Sequence, residues 1–167
     1  VECKSDASKY QSALVDAADV NDVVVAVGWQ FWDALTTVVP AMPDTLFIFV
    51  DNGLDGLGDN LLSIVYAENE GSFLAGYIAM KTSANQSIGF VGGEDSDTIN
   101  NFFVGYEQGA LYANADGTVL DPVYASDYDS PDKGKELATT LYSAGADVVF
   151  AVAGKTGLGV FEAAKEQ

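Results

Sequence analysis

The sequence predicts an α/β protein in which parallel strands alternate with helices. Short apolar runs rich in β-branched residues alternate about six times with segments whose apolar residues recur at helical spacing. Strands and helices in this order are typical of a parallel sheet with helices on both faces. The 167 residues, 49% of them hydrophobic, can form the core of one ordinary domain or of two small lobes.

Residues 87–110, SIGFVGGEDSDTINNFFVGYEQGA, are the segment around which the rest is organised. An apolar run at 88–91 predicts a strand, the pair Gly92-Gly93 predicts a turn, and apolar residues from Ile99 onwards recur at helical spacing. Glycines let the backbone turn with positive φ and approach a neighbouring group closely. Because ligands of open α/β sheets bind outside the carboxyl ends of the strands, this turn is expected to face a ligand.

The first half of the chain is predicted to contain alternating helices and strands. Residues 23–27 are a continuous β-branched run, which is typical of a strand buried on both faces. Pro40 is expected to end the helix that follows this strand. The predicted elements are a strand end at 1–3, a helix capped by Ser5 that runs to about residue 19, strand 23–27, helix 30–39, strand 46–50, a loop rich in Gly and Asp at 52–60, strand 61–66 and helix 68–80.

The short polar segment 81–86 is the predicted crossover between two lobes, which would place residues 1–84 in the first lobe and residues 85–167 in the second. Movement about this crossover would act as a hinge. Beyond residues 87–110, the second lobe is predicted to contain strand 119–124, helix 131–144, strand 148–152 and helix 157–164.

The composition excludes several classes of function. The chain has 25 acidic residues, seven Lys and neither Arg nor His, so its formal net charge is −18. Nucleic acids and anionic membrane surfaces both require basic patches and are therefore not expected as partners. The absence of Arg disfavours a phosphorylated ligand, and the absence of His excludes catalytic triads and imidazole metal sites within this chain. Cys3 is the only cysteine, so no internal disulfide can form.

Two short motifs resemble known sites only in part. The Gly-Lys-Thr at 154–156 matches the end of a phosphate-binding P-loop, but Val149 stands where that motif requires glycine. Residues 51–56 resemble the start of a calcium loop, but Gly53 and Leu62 stand where ligands are expected. A tight turn from strand to helix explains the first motif better, and a solvated loop explains the second. We therefore expect neither a metal nor a cofactor.

Two pairs of carboxylates, Asp95 with Asp97 and Asp127 with Asp129, precede predicted helices. Paired carboxylates can perform acid–base catalysis. At the start of a helix they can instead cap free N–H groups and offset the helix dipole. Capping is the expected role.

Trp29 and Tyr128 each lie where a predicted strand gives way to a loop, on the side expected to carry ligands. One interpretation is that both rings are partly buried packing residues. The other is that they provide two flat faces, one from each lobe, that stack on a ring of the ligand.

Six runs together resemble the basic membrane protein family, the purine nucleoside receptor group of substrate-binding lipoproteins of ABC transporters. The runs are VVVAVGW, FIFVDN, ENEGSFLAGYIA, SIGFVGGEDSDTINNFFVGYEQGA, SDYDSPDKGKELA and AGADVVFAVAGKTGLGVFEAAKE. The resemblance covers essentially all of residues 1–167, in the family's order and spacing. It implies a type I periplasmic-binding-protein fold, in which two α/β lobes close over a nucleoside whose base lies between aromatic rings.

The resemblance also implies ligand-binding roles for five residues. Tyr128 stands where the family usually has Phe, and it can still stack on a ring. Trp29 supplies the aromatic residue that commonly follows glycine after the first strand of this sequence. Asp51 would accept hydrogen bonds from a sugar or a base, Asn69 would face the cleft, and Gly154 matches a glycine where the backbone approaches the ligand.

Both ends depart from the family pattern, since its opening strand and a later Gly-Val-Asp-x-Asp-Gln segment are not in this sequence. We therefore expect an exposed apolar seam and an incomplete ligand site. The expected function is that of a non-enzymatic, extracytoplasmic receptor that delivers a nucleoside to a permease and is held at the membrane only by a lipid anchor outside this sequence. A receptor for a sugar or a signalling molecule, a sensor or regulator, and an enzyme on the same fold are the alternatives.

Overall fold

A computed structural model describes residues 1–3 and 6–167, so the predicted Ser5 cap lies outside the described residues. The chain divides into two compact units, Val1–Tyr66 and Ala67–Gln167. The division lies before the helix at 68–82, whereas the sequence predicted it after residue 84. Within the described ranges, no helix is long and apolar enough to cross a membrane.

The first unit contains a three-stranded parallel sheet in the order β1-β2-β3. Residues 1–3 belong to no strand, so the predicted strand end is not found. Pro40 lies inside the last turn of the second helix, which ends one residue later than the proline. The elements are a 3-10 helix Ala7–Lys9, α1 Tyr10–Ala18, β1 Val23–Val27, a 3-10 helix Trp29–Phe31, α2 Trp32–Ala41, β2 Leu46–Val50 and β3 Leu61–Ile64.

Only one face of this first sheet is buried. Alternate side chains of β1 point to opposite faces, so Val24 is 7% exposed and its neighbour Val25 is 56% exposed. The buried face packs against a core that includes Leu35 and Val38 of α2. The prediction that β1 is buried on both faces is therefore wrong for this structure. The other face is apolar and exposed, which agrees with the exposed apolar seam predicted from the sequence.

The second unit is built around β4, which pairs in parallel with three other strands. β5 and β6 pair with successive parts of β4, and β7 pairs with it from Ile88 to Gly92. The single strand predicted at 119–124 is divided in two, and Pro122, which has no N–H group, lies between the two parts. The elements are α3 Glu68–Thr82, β4 Ser87–Gly92, α4 Asp97–Ala113, β5 Thr118–Val119, β6 Val123–Tyr124, α5 Pro131–Ser143, β7 Val148–Val152, a 3-10 helix Gly154–Thr156 and α6 Gly157–Lys165.

Close helix packing explains why α3 belongs to the second unit. A β-carbon added at Gly76 of α3 would lie 1.8 Å from the carbonyl oxygen of Tyr106 in α4. A β-carbon added at Gly109 of α4 would lie 1.9 Å from the carbonyl oxygen of Phe73 in α3. The two helix backbones are thus in direct contact. α3 cannot separate from α4 without exposing this packed surface.

The segment 81–86, expected as the crossover and hinge, lies inside the second unit, where residues 81–82 end α3 and residues 83–86 form a turn. The carboxylate of Asp147, just before β7, accepts a hydrogen bond from the hydroxyl of Ser83. It also accepts hydrogen bonds from the backbone N–H groups of Ala84 and Asn85, at 2.7 and 2.9 Å. Three hydrogen bonds to one charged group fix this turn, so the connection between the units lies at Tyr66–Ala67 instead.

Candidate functional site

The carboxyl ends of β4, β6 and β7 bring three residues of the second unit together, which we call the platform: Gly93, Tyr128 and Gly154. Gly93 directly follows β4, and its N–H donates a hydrogen bond to the carbonyl of Val152 at 2.9 Å. The carbonyl of Gly93 accepts a hydrogen bond from the N–H of Asp127 at 3.1 Å. The platform therefore lies where ligands of parallel α/β sheets bind.

The ring of Tyr128 lies directly over Gly93. A β-carbon added at Gly93 would lie 2.1 Å from Cε1 and 2.6 Å from Cζ of that ring. No side chain can occupy this position unless the ring moves. The Tyr128 side chain is half-buried, so part of its surface is open to solvent.

Gly154 and Thr156 hold the loop that carries Tyr128. Gly154 has φ +54°, and a β-carbon there would lie 3.2 Å from the carbonyl oxygen of Tyr128. The buried hydroxyl of Thr156 accepts a hydrogen bond from the N–H of Ser130 at 2.9 Å and donates one to the carbonyl of Asp127 at 3.0 Å. The N–H of Thr156 donates to the carbonyl of Tyr128 at 3.1 Å. The Gly-Lys-Thr motif is thus the turn from strand to helix that the sequence analysis preferred, and it positions Tyr128.

Sequence reasoning assigned no role to Thr156 or to Glu94. Glu94 follows Gly93, and its carboxylate is close enough to act on Tyr128. Burial raises the pKa of the Tyr128 hydroxyl, the negative charge of Glu94 raises it further, and a backbone hydrogen bond from Glu94 acts in the opposite direction. The sequence feature that could have indicated Glu94 is its position as an acidic residue directly after a glycine pair at the end of a strand.

The paired carboxylates stabilise turns and do not cap the helices through hydrogen bonds. The N-cap positions of α4 and α5 are occupied by serines, whose side chains make no capping hydrogen bond. Asp95 accepts a hydrogen bond from the side chain of Asn100 at 2.9 Å. Asp127 accepts one from the N–H of Asp129 at 2.8 Å, and Asp129 forms an ion pair with Lys155 at 2.7 Å. The predicted capping role is therefore wrong, apart from Asp97, whose place in the first turn of α4 favours the helix dipole.

In the first unit, Trp29 and Asp51 follow adjacent strands at one edge of the sheet. The register pairs Val27 of β1 with Val50 of β2, so both residues leave the sheet at its carboxyl edge. Trp29 is 40% exposed. Asp51 has φ +81°, a conformation that is uncommon for residues other than glycine and that often marks functional positions.

Asn69 lies in the first turn of α3, in the second unit. It lines a pocket of about 330 Å³ whose walls include neither Tyr128 nor Gly154. The other lining residues are Glu70, Phe73, Val104, Gly105 and Gln108. The structure therefore brings Tyr128 and Gly154 together but places Asn69 in a different concavity. Across the described residues, no three acidic or cysteine side chains are grouped closely enough to hold a metal ion.

Residues 2–167 match the profile of a family described as PnrA-like ABC transporter substrate-binding proteins. The CD4+ T-cell-stimulating antigen of Listeria monocytogenes is 38% identical over 144 residues, which are 86% of this chain and 40% of that protein. Basic membrane protein B of Borreliella burgdorferi is 38% identical over 148 residues, 87% of this chain and 43% of that protein. The chain thus spans less than half the length of these relatives.

Two solved structures share the fold. An ABC transporter solute-binding protein from Aeropyrum pernix K1 superposes with a TM-score of 0.84 at 28% identity, over 97% of this chain and 47% of that one. A transcriptional activator of the comK gene from Bacillus halodurans has a TM-score of 0.78 at 20% identity, over 98% of this chain and 56% of that one, and shows the fold alone. The type I periplasmic-binding-protein fold predicted from the sequence is confirmed.

Proposed function

The chain belongs to the family of PnrA-like ABC transporter substrate-binding proteins, and from this premise we propose that its parent protein binds a nucleoside, with a purine base preferred. The ligand would be bound and released unchanged, and the protein would not act as an enzyme. The observation that carries the proposal is the Tyr128 ring seated on Gly93 at the carboxyl ends of the strands.

Stacking would supply much of the binding energy. An aromatic side chain stacked on a nucleobase contributes about 1–3 kcal/mol per base. The Tyr128 ring is held on one side by Gly93 and through its backbone by Thr156. A ring fixed before binding loses little conformational entropy when a base stacks on it.

The charge of the chain favours a nucleoside over a nucleotide. With 25 acidic residues and no Arg, the chain lacks the planar bidentate donor that commonly binds phosphate. Asp51 in the first unit would accept hydrogen bonds from ribose hydroxyls or base N–H groups. Trp29 would provide a second stacking face, Asn69 a polar contact, and Gly154 a close approach of the backbone.

Closure of two lobes over the ligand is part of the proposal. We place the lobes at residues 1–66 and 67–167 and the moving connection at Tyr66–Ala67, since the turn 83–86 is fixed by Asp147. The ligand-bound protein would dock on the permease of an ABC transporter. The parent protein would be extracytoplasmic, with a lipid anchor outside this sequence as its only membrane attachment.

Calorimetric titration of the full-length parent with guanosine, inosine, adenosine, cytidine and ribose tests this function. We expect purine nucleosides to bind with the highest affinity. Tyr128→Phe keeps the ring and should retain binding, whereas Tyr128→Ala should weaken it by about tenfold or more, in keeping with the loss of one stacking contact.

Binding of ribose alone by the same protein would assign the site to sugars and would leave Trp29 and Tyr128 as packing residues. A well-folded parent that binds none of the five compounds would overturn the nucleoside proposal and favour a sensor. Conversion of a bound nucleoside to products would show an enzyme.

A further inference from the structure

We infer that Glu94 makes the platform selective for uncharged or cationic ring compounds by excluding anionic ones from the face of Tyr128. The inference rests on the proposed function, because it concerns the ligand that stacks at this site. It names Glu94 as a specificity-determining residue.

The backbone places Glu94 directly after the residue that the Tyr128 ring covers. Gly93 lies under Cδ1, Cε1 and Cζ of the ring, and Cζ carries the hydroxyl. Glu94 is the next residue in the chain, and it is only partly exposed. The negative charge of Glu94 acts on Tyr128 and raises the pKa of its hydroxyl, so a ligand stacked on the ring would lie near this carboxylate.

Acidic residues outnumber lysines around the Tyr128 ring. Lys155 forms an ion pair with Asp129 at 2.7 Å, and Lys133 donates a hydrogen bond to the carbonyl of Ala125 at 3.1 Å. Asp127, on the same loop as Tyr128, adds a further negative charge. The acidic residues here are Glu94, Asp127 and Asp129, and the basic ones are Lys133 and Lys155, so negative charges outnumber positive ones by one.

A half-buried carboxylate repels an anion strongly, since water screens the two charges incompletely. A phosphate or carboxylate group on the ligand would be disfavoured near Glu94. An amide N–H, an amino group or a hydroxyl could instead donate a hydrogen bond to it. The site would then be specific because anionic ligands make an unfavourable contact with Glu94.

The test compares guanosine with guanosine 5′-monophosphate in calorimetric titrations of the full-length parent and of two variants. Glu94→Gln removes one negative charge at the platform and preserves the side-chain shape. Glu136→Gln removes the same charge from an exposed position on α5 and serves as the control. We expect Glu94→Gln to reduce the ratio of the affinities for guanosine and guanosine 5′-monophosphate by about tenfold, or ~1.4 kcal/mol. Glu136→Gln should leave this ratio unchanged.

An unchanged preference in Glu94→Gln, or an equal change in Glu136→Gln, would overturn the inference. If the parent binds neither compound, the nucleoside proposal fails, and titration of the Tyr128 hydroxyl without ligand then decides the role of Glu94. The phenolate absorbance is measured against pH for each variant with Tyr128 and again with Tyr128→Phe added. The difference between the two curves gives the pKa of the Tyr128 hydroxyl. A lower pKa in Glu94→Gln than in Glu136→Gln would show that the carboxylate acts on the ring, and equal values would refute it.

Discussion

Tyr128 and Gly93 are matched to each other: the ring occupies the space that any side chain at position 93 would fill. The two residues lie far apart in the sequence and meet because β4 and β6 are paired neighbours. The orientation of the proposed stacking ring therefore depends on a residue that makes no side-chain contact of its own.

Gly93→Ala should displace the Tyr128 ring and weaken nucleoside binding by the full-length parent by about tenfold or more. The reason is the 2.1 Å approach between the added β-carbon and Cε1. Gly71→Ala on α3, where an added β-carbon meets no atom within 4 Å, is the matched control and should bind normally. Equal affinities for the two variants, measured by calorimetry, would show that the ring position is unimportant.

Trp29→Ala should weaken binding by the full-length parent by about 1–3 kcal/mol, the range for one lost stacking contact. Trp32, three positions along the chain and 42% exposed, offers a control of the same residue type and similar exposure. Trp32→Ala should leave the affinity unchanged. If both substitutions weaken binding equally, Trp29 acts through the packing of this region, and circular dichroism of both variants would reveal lost structure.

Gly109→Ala should destabilise the second unit because the added methyl group overlaps the carbonyl oxygen of Phe73 at 1.9 Å. Overpacking of this kind costs about 1–3 kcal/mol or more, since backbone must move. Gly71→Ala adds the same methyl group to an open helical position and should be neutral or stabilising by up to ~1 kcal/mol. Urea denaturation followed by circular dichroism measures both changes, and tight α3–α4 packing predicts that only Gly109→Ala lowers the free energy of unfolding.

Asp147 should give the stability of the second unit a dependence on pH. Burial alone would raise the pKa of this carboxylate, but hydrogen bonds from Ser83 and from the backbone of Asn85 and Ala84 lower it below its usual value. A lowered pKa means that Asp147 stabilises the fold above about pH 4, the pKa range of an unfolded-chain Asp, and loses that contribution as the pH falls through the folded-state pKa.

Asp147→Asn should therefore cost roughly 1 kcal/mol near neutral pH, a value reduced from that of a buried charged hydrogen bond because solvent screens this site. The difference from the unmodified chain should shrink as the pH falls below about 4. Asp121→Asn, an exposed control, should change little. A constant difference between pH 3 and 7 in thermal unfolding would contradict the role given to Asp147.

The exposed face of the first sheet makes neighbouring valines respond differently to the same substitution. Val24→Thr puts a hydroxyl into the core and should cost about 1–3 kcal/mol in the isolated chain. Val25→Thr on the open face should change stability by less than about 0.5 kcal/mol and should reduce binding of a hydrophobic dye. A cooperative unfolding transition without any dye binding by the unmodified chain would show that this face is covered.

Local pattern was enough to predict most elements and the family. Runs such as 46–50 and 148–152 were predicted as strands because short apolar runs that contain β-branched residues are typical of strands. The glycine turn after residue 91 was predicted because the residue type itself permits the turn. Positions 29 and 128 could be proposed as ligand contacts because both follow strands, and their roles in binding remain predictions.

Packing between distant residues could not be predicted in the same way. The sequence by itself determined the α/β class, the order of the elements and the membership of the family, because these depend on local periodicity and on matched runs. Only the tertiary structure decided that α3 packs with α4, that Asp147 fixes the turn at 83–86, and that the charge of Glu94 acts on Tyr128. Each of these joins residues far apart in the sequence, and such a contact depends on which backbone surfaces meet, which no local spacing specifies.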